Sequence, residues 1–138
     1  MAWMIDNRGT LKAMDEAALL PFREFHARRD REIRHQRETL RLEVLERVRE
    51  AVRRSAPLFP AIRAVYLFGS ILRPGRFRPD SDVDLAVDCE DVEVETPFWR
   101  MLEEALERDV DLRPLAGAVV RAVEEEGELC YEREVPGP

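Results

Sequence analysis

The feature that most constrains this chain is a change of hydrophobic period near its middle. From Phe25 to Arg54 the sequence is dense in arginine and glutamate, and Ile33, Leu40, Val44, Leu45, Val48 and Val52 fall on one helical face. That spacing predicts a long amphipathic helix, ending before Pro57 because a residue preceding proline avoids helical geometry. Beyond it the period falls to two. AVYLF (64–68) is a continuous apolar run closed by Gly69, which suits a buried strand. DVDLAVD (82–88) alternates, with Val83, Leu85 and Val87 on one side and Asp82, Asp84, Ala86 and Asp88 on the other.

The remaining segments follow the same logic. Residues 1–24 read as irregular or weakly helical, interrupted by Pro21. Thr96-Pro97 predicts a helix start, a cap followed by a first-turn proline, and Phe98, Met101, Leu102, Ala105 and Leu106 carry its apolar face through 98–108. DVDLR (109–113) is a second alternating strand. Pro114 is expected to open another helix, with Leu115, Ala118, Val119, Ala122 and Val123 on one face and Gly127 at its end. ELCYERE follows as a short extended tail. The predicted fold class is α/β (α+β): a small mixed sheet with helices on one face, preceded by a long N-terminal helix. We expect an N-terminal extension and helix over 1–54 and a compact core over 55–138.

Composition narrows the function classes. At 138 residues the chain suits one domain with an appended helix. A net charge of −7 argues against a general nucleic-acid binder, so no direct nucleic-acid partner is expected. No apolar run approaches the roughly 20 residues of a membrane span, and the N-terminus lacks a signal-peptide pattern. A cytoplasmic location and no membrane partner are the corresponding expectations. Cys89 and Cys130 are too few and too separated for a metal or disulfide framework, and read as reduced thiols. Only Lys12 among the 22 basic residues is a lysine, and the Arg/Glu bias reads as an ion-pair-rich surface. His26 and His35, among charged neighbours, read as surface residues, and Trp99 as core packing.

The chemistry is concentrated in 66–112. Asp82 and Asp84 are two apart on a strand, so their side chains leave one face about 7 Å apart at the backbone. Asp111 sits between Val110 and Leu112 on a neighbouring strand of the same kind, with Asp109 sharing its alternation. Three carboxylates converging at adjacent strand ends repel one another unless a cation lies between them. Mg²⁺, a hard cation bound by oxygen and usually shared with phosphates, is the economical choice, and no Cys or His in this stretch suggests a softer metal. Gly69-Ser70, directly after a strand, lets backbone amides approach a phosphate and adds a hydroxyl donor. Arg73, Arg76 and Arg78 in the loop that follows offset triphosphate charge.

LFGS (67–70), eleven residues, DVDLAV (82–87) and a later VDL (110–112) together resemble the nucleotidyltransferase superfamily that contains DNA polymerase beta, and within it the minimal nucleotidyltransferases, or MNT proteins. The resemblance covers roughly residues 58–132. Its loop is one residue longer than the commonest MNT spacing and holds Pro74, Gly75 and Pro79. The resemblance implies that Gly69 and Ser70 hold the β- and γ-phosphates, with Arg73 and Arg76 nearby. It implies that Asp82, Asp84 and Asp111 are both catalytic and metal-binding, holding two Mg²⁺ ions, or Mn²⁺ in their place. It further implies transfer of AMP from ATP to a hydroxyl, as a protein adenylyltransferase acting on a tyrosine of a HEPN toxin, with this chain as the antitoxin. The residues leave open a non-catalytic MNT-fold antitoxin, or transfer to a small molecule such as an aminoglycoside. The helix over 25–54, with Leu42 off its apolar stripe, is expected to meet that partner or a second copy of the chain.

Overall fold

The structure, a computed structural model, describes residues 3–5, 7–9, 11–13 and 16–135. The chain divides into two compact units, residues 1–36 and 37–138. In the first, β1 (Trp3–Ile5) pairs antiparallel with β2 (Leu11–Ala13), Met4 opposite Lys12. Helix α1 (Glu16–Ser55) follows, beginning in the first unit and ending in the second. The expectation of an irregular stretch over 1–24 and a helix only from Phe25 is therefore corrected. Strands of three residues are too short to show an alternation. Pro21 stands inside the helix, two residues past the four N–H groups that no helix satisfies internally, and so deprives it of one bond near its end. In this unit Leu20, Phe22 and Phe25 are exposed, and the Phe25 ring meets the edge of His26 with centroids 5.6 Å apart.

The second unit is built on a four-stranded mixed sheet. After α1 and a 3₁₀ turn (Ala56–Leu58) come β3 (Ile62–Phe68), a 3₁₀ turn (Ser70–Leu72), β4 (Val83–Cys89), a 3₁₀ turn (Val92–Val94) and α2 (Glu95–Leu106). Then β5 (Val110–Pro114), α3 (Ala118–Glu126) and β6 (Glu128–Glu132) complete the unit. The strand order is β5-β4-β3-β6, with β4 and β5 parallel and the other neighbours antiparallel. The expected α/β fold with a small mixed sheet and a long N-terminal helix is what forms. The extended tail of the sequence becomes β6, with Tyr131 opposite Val65.

Two helix starts differ from the sequence reading. The turn before α2 is capped by Asp91, whose Oδ1 accepts from the Glu93 N–H at 3.0 Å, and α2 begins at Glu95 rather than at Thr96. Pro97 still falls in the first turn, where its missing N–H leaves no bond unmade. Pro114 ends β5 instead of opening a helix. The ladder runs past it, the Leu115 N–H donating to the Val87 carbonyl at 2.9 Å, and α3 waits until the chain has turned at Gly117, at φ +58°. Proline is tolerated there because β5 is an edge strand and Pro114 faces away from β4.

The core lies between the sheet and α1 with α2. Val48 and Val52 from α1, Ile62, Val65 and Leu67 from β3, Val83, Leu85 and Val87 from β4, and Phe98 and Leu102 from α2 are fully buried. Phe59 meets Phe98 edge-on at 5.8 Å. The guanidinium of Arg49 grips the Glu128 carboxylate with two bonds of 2.9 and 2.6 Å, tying α1 to β6. Arg47 donates to the Leu106 carbonyl at 3.0 Å, satisfying one of the open carbonyls at the end of α2. No helix among the described residues is long and apolar enough to cross a membrane.

Because every fully buried side chain among the described residues lies beyond residue 36, a chain beginning at Arg37 is expected to keep the sheet fold. A chain beginning at Ser55 loses Val44, Leu45, Val48, Ala51 and Val52 from the core and should not fold, since burying a single such side chain is worth about 1.5–3 kcal/mol. Urea unfolding followed by circular dichroism checks both outcomes.

Candidate active site

The site is set by the register of two parallel strands. Asp84 on β4 stands opposite Asp111 on β5, with Leu85 opposite Leu112. Val83, Leu85 and Val87 are buried, so the alternating Asp84 and Asp111 leave the other face side by side. Asp82 lies just before β4 and is exposed, so it approaches from the strand mouth and not from within the strand. Asp109, also exposed, precedes β5 and gives its carbonyl to the Val83 N–H at 3.1 Å.

The phosphate-loop candidates lie against the same carboxylates. Gly69 leaves β3 at φ +83°, ψ −154°, a region open essentially to glycine alone. A Cβ built there would stand 2.3 Å from Oδ2 of Asp84. Gly69 is therefore required twice, by its backbone and by the carboxylate at its back. Ser70 opens the turn, whose bonds run from Leu72 N–H to the Gly69 carbonyl (3.1 Å) and from Arg73 N–H to the Ser70 carbonyl (3.0 Å).

The rest of the loop is anchored from below. Ile71 and Phe77 are buried. Arg41 of α1, itself buried, donates to the Ile71 carbonyl at 2.9 Å while bonding Glu38 with two more donors. Arg108 donates to the carbonyls of Pro79 and Ser81, both at 2.9 Å, and lies over the Phe77 ring at 5.0 Å. Arg76 and Arg78 project outward, and the side chain of Arg76 has no ion-pair partner among the described residues. The guanidinium of Arg73 is paired with Glu126 at the end of α3. Sequence reasoning singled out neither Arg41 nor Arg108. Arg41 carried a signal, because it falls on the same helical stripe as Val44, Val48 and Val52, where a charged residue needs a buried partner.

Burial lifts the Asp84 carboxyl above the ordinary aspartate range, the neighbouring charge of Asp111 pushes the same way, and Asp82 adds to it, while Arg113 opposes. Arg113, two residues beyond Asp111 on β5, bonds Oδ2 of Asp111 at 2.8 and 3.1 Å. That partner was also missed, although its spacing is the same two-residue step that joins Asp82 to Asp84. Among the described residues no three acidic, histidine or cysteine side chains stand close enough together to hold a metal ion. The chemistry of the donors present, carboxylate oxygens with like charge crowded on Asp84, suits a hard cation such as Mg²⁺.

Residues 50–135, more than half of the chain, match the family described as Polymerase beta, Nucleotidyltransferase. The chain belongs to that family. No curated protein matches it. Among solved structures, this nucleotidyltransferase is similar to a chain in a toxin–antitoxin crystal structure with AMP-PNP, with 27% identity over 64% of this chain and 73% of that one and a TM-score of 0.50. It is similar to a chain of the toxin–antitoxin MntA–HepT (24% identity, 64% and 73% covered, TM-score 0.48). A third likeness is to a chain of a tri-AMPylated Shewanella oneidensis HEPN toxin in complex with an MNT antitoxin (24% identity, 65% and 73% covered, TM-score 0.47).

A carboxyl whose folded pKa is raised costs stability once the pH passes its unfolded value, because only the folded state resists ionisation. Asp84→Asn is therefore expected to raise the melting temperature of the metal-free protein at pH 7. The gain should shrink towards zero as the pH falls through the carboxylate range, where wild-type Asp84 is already protonated. Thermal melts at a series of pH values give the comparison, and a large loss of stability at pH 7 would make Asp84 a structural residue.

Proposed function

We propose that this protein is a Mg²⁺-dependent nucleotidyltransferase that moves AMP from ATP to a hydroxyl of a protein acceptor. In this reading it serves as the antitoxin of a HEPN toxin, acting on a tyrosine of that partner. The observation that carries the reading is Asp84 and Asp111 in register on one sheet face, with the backbone of Gly69 packed against Asp84. The likeness to a toxin–antitoxin structure holding AMP-PNP, an ATP analogue, supports the nucleotide and the kind of partner.

In the reaction the acceptor oxygen forms a bond to the α-phosphorus of ATP, the bond from that phosphorus to the pyrophosphate oxygen breaks, and the hydroxyl proton passes to Asp111. Asp82, Asp84 and Asp111 would hold two ions, whose charge would neutralise the phosphates and lower the pKa of the attacking hydroxyl. The protein contributes placement and charge, as phosphoryl chemistry requires. Gly69 opens the backbone to the β- and γ-phosphates, and Ser70 offers its hydroxyl to them. Arg76, free of an ion-pair partner among the described residues, and Arg73, once released from Glu126, offset their charge.

A second reading, a non-catalytic antitoxin that binds its partner through the same fold, is favoured by one observation: the Asp111 carboxylate is taken up by Arg113. The two readings separate in one experiment. Incubated with ATP, Mg²⁺ and a HEPN protein, the wild-type chain is expected to add adenylyl groups to that protein, read by intact mass. Asp82→Asn and Asp84→Asn should each lower the rate about a hundredfold or more, because metal-borne charge stabilisation is worth several kcal/mol. A wild-type chain that neutralises the toxin with no added mass, and does so equally well as Asp84→Asn, would establish the binding reading.

A further inference from the structure

The outer edge of β5 has a single opening. In the parallel ladder with β4, Val83 donates to Asp109 and Leu115 to Val87, so Asp111, Arg113 and Leu115 bond inward while Val110, Leu112 and Pro114 turn their backbone groups outward. Val110 is closed on both sides by α2: its N–H donates to Oε2 of Glu103 at 2.8 Å, and its carbonyl accepts from Nε1 of Trp99 at 2.7 Å. Pro114 has no N–H, and its carbonyl accepts from Ala116 at 2.9 Å. Leu112 alone presents an N–H and a carbonyl with no partner among the described residues. They open onto a cleft of about 370 Å³ lined by Glu95, Thr96, Trp99, Val110, Asp111 and Leu112.

The geometry points to this opening as the docking point for the acceptor, an extended peptide segment laid antiparallel on β5. One acceptor residue exchanges two backbone bonds with Leu112, and the next residue carries the hydroxyl. This rests on the adenylyl-transfer reading above and names the form of its substrate. Opposed residues on adjacent strands leave the sheet on the same face, Cβ atoms about 4.5–5.5 Å apart. A residue opposite Asp111 therefore projects its hydroxyl onto the face that carries Asp111 and Asp84. The residue before it, opposite Leu112, sends its side chain to the other face and into the cleft. There Glu95, which has no ion pair among the described residues, and the Trp99 ring favour a basic side chain. The closures at Val110 and Pro114 keep any longer strand from pairing, so the edge reads two residues and invites no sheet extension.

The test uses the full-length chain and the blocked peptide acetyl-Ala-Arg-Tyr-Ala-amide. A second peptide, N-methylated at the arginine, lacks the N–H offered to the Leu112 carbonyl, and a third has alanine in place of arginine. Without nucleotide, titration of ¹⁵N-labelled protein is expected to move the Leu112 amide resonance with the first peptide and about tenfold more weakly with the N-methylated one. Equal shifts from both, or no response at Leu112, would overturn the docking assignment. With ATP and Mg²⁺, kcat/KM for transfer to the first peptide should exceed that for the N-methylated one by about tenfold. Transfer at equal rates overturns the docking and leaves the transfer reading standing. Docking at Leu112 without transfer does the reverse. Glu95→Gln should reduce the preference for arginine over alanine, and an unchanged preference removes the cleft from the assignment.

Discussion

The register of β4 is the constraint on which the rest depends. Val83, Leu85 and Val87 are buried against α1 and α2, each worth about 1.5–3 kcal/mol of apolar burial. A slip of one residue would turn Asp84 and Asp88 into that core and put the valines in water. The strand therefore has one workable register, and it forces Asp84 onto the opposite face. Parallel pairing with β5, where Val110 is buried by the same logic, brings Asp111 beside it. The apolar side of the sheet thus stabilises an arrangement of like charge that the polar side alone would not tolerate, and the raised Asp84 pKa records that tension.

The loop between β3 and β4 depends on the same core by another route. Its apolar residues Ile71 and Phe77 point inward, and two guanidinium groups, Arg41 from α1 and Arg108 after α2, hold three of its carbonyls. With the backbone fixed from beneath, Ser70, Arg73, Arg76 and Arg78 are left to face solvent. The second half of α1 is therefore part of the site's foundation: it closes the core with Val48 and Val52 and steadies the loop between β3 and β4 with Arg41.

Much of this was legible in the sequence because β4 and β5 carry a period-two pattern that only one face can satisfy. The period pairs Asp84 with Asp82 and Asp111 with Asp109, and only the resemblance carried by VDL singled out Asp111. What was not legible depends on particular side-chain contacts that the hydrophobic period does not encode. Arg113 bonds Asp111, Trp99 and Glu103 close the edge at Val110, and Arg41 reaches Ile71 thirty residues away. The helix starts failed for local reasons. Thr96-Pro97 has the composition of a cap, but Asp91 had already started the turn, and Pro114 resembles a helix opener only if the edge position of β5 is unknown.

The charges at the site are matched unevenly. Asp111 is matched by Arg113 and Arg73 by Glu126, all four side chains at least a third exposed. Exposed pairs of this kind contribute about 0–1 kcal/mol each, because water competes for both partners and side-chain freedom is lost in holding them. Opening them is therefore cheap. Asp84 has no such partner among the described residues: its charge is opposed at a distance by Arg113 and is crowded by Asp111 and Asp82. The site thus neutralises its outer charges with one another and leaves the inner carboxylate, Asp84, under strain.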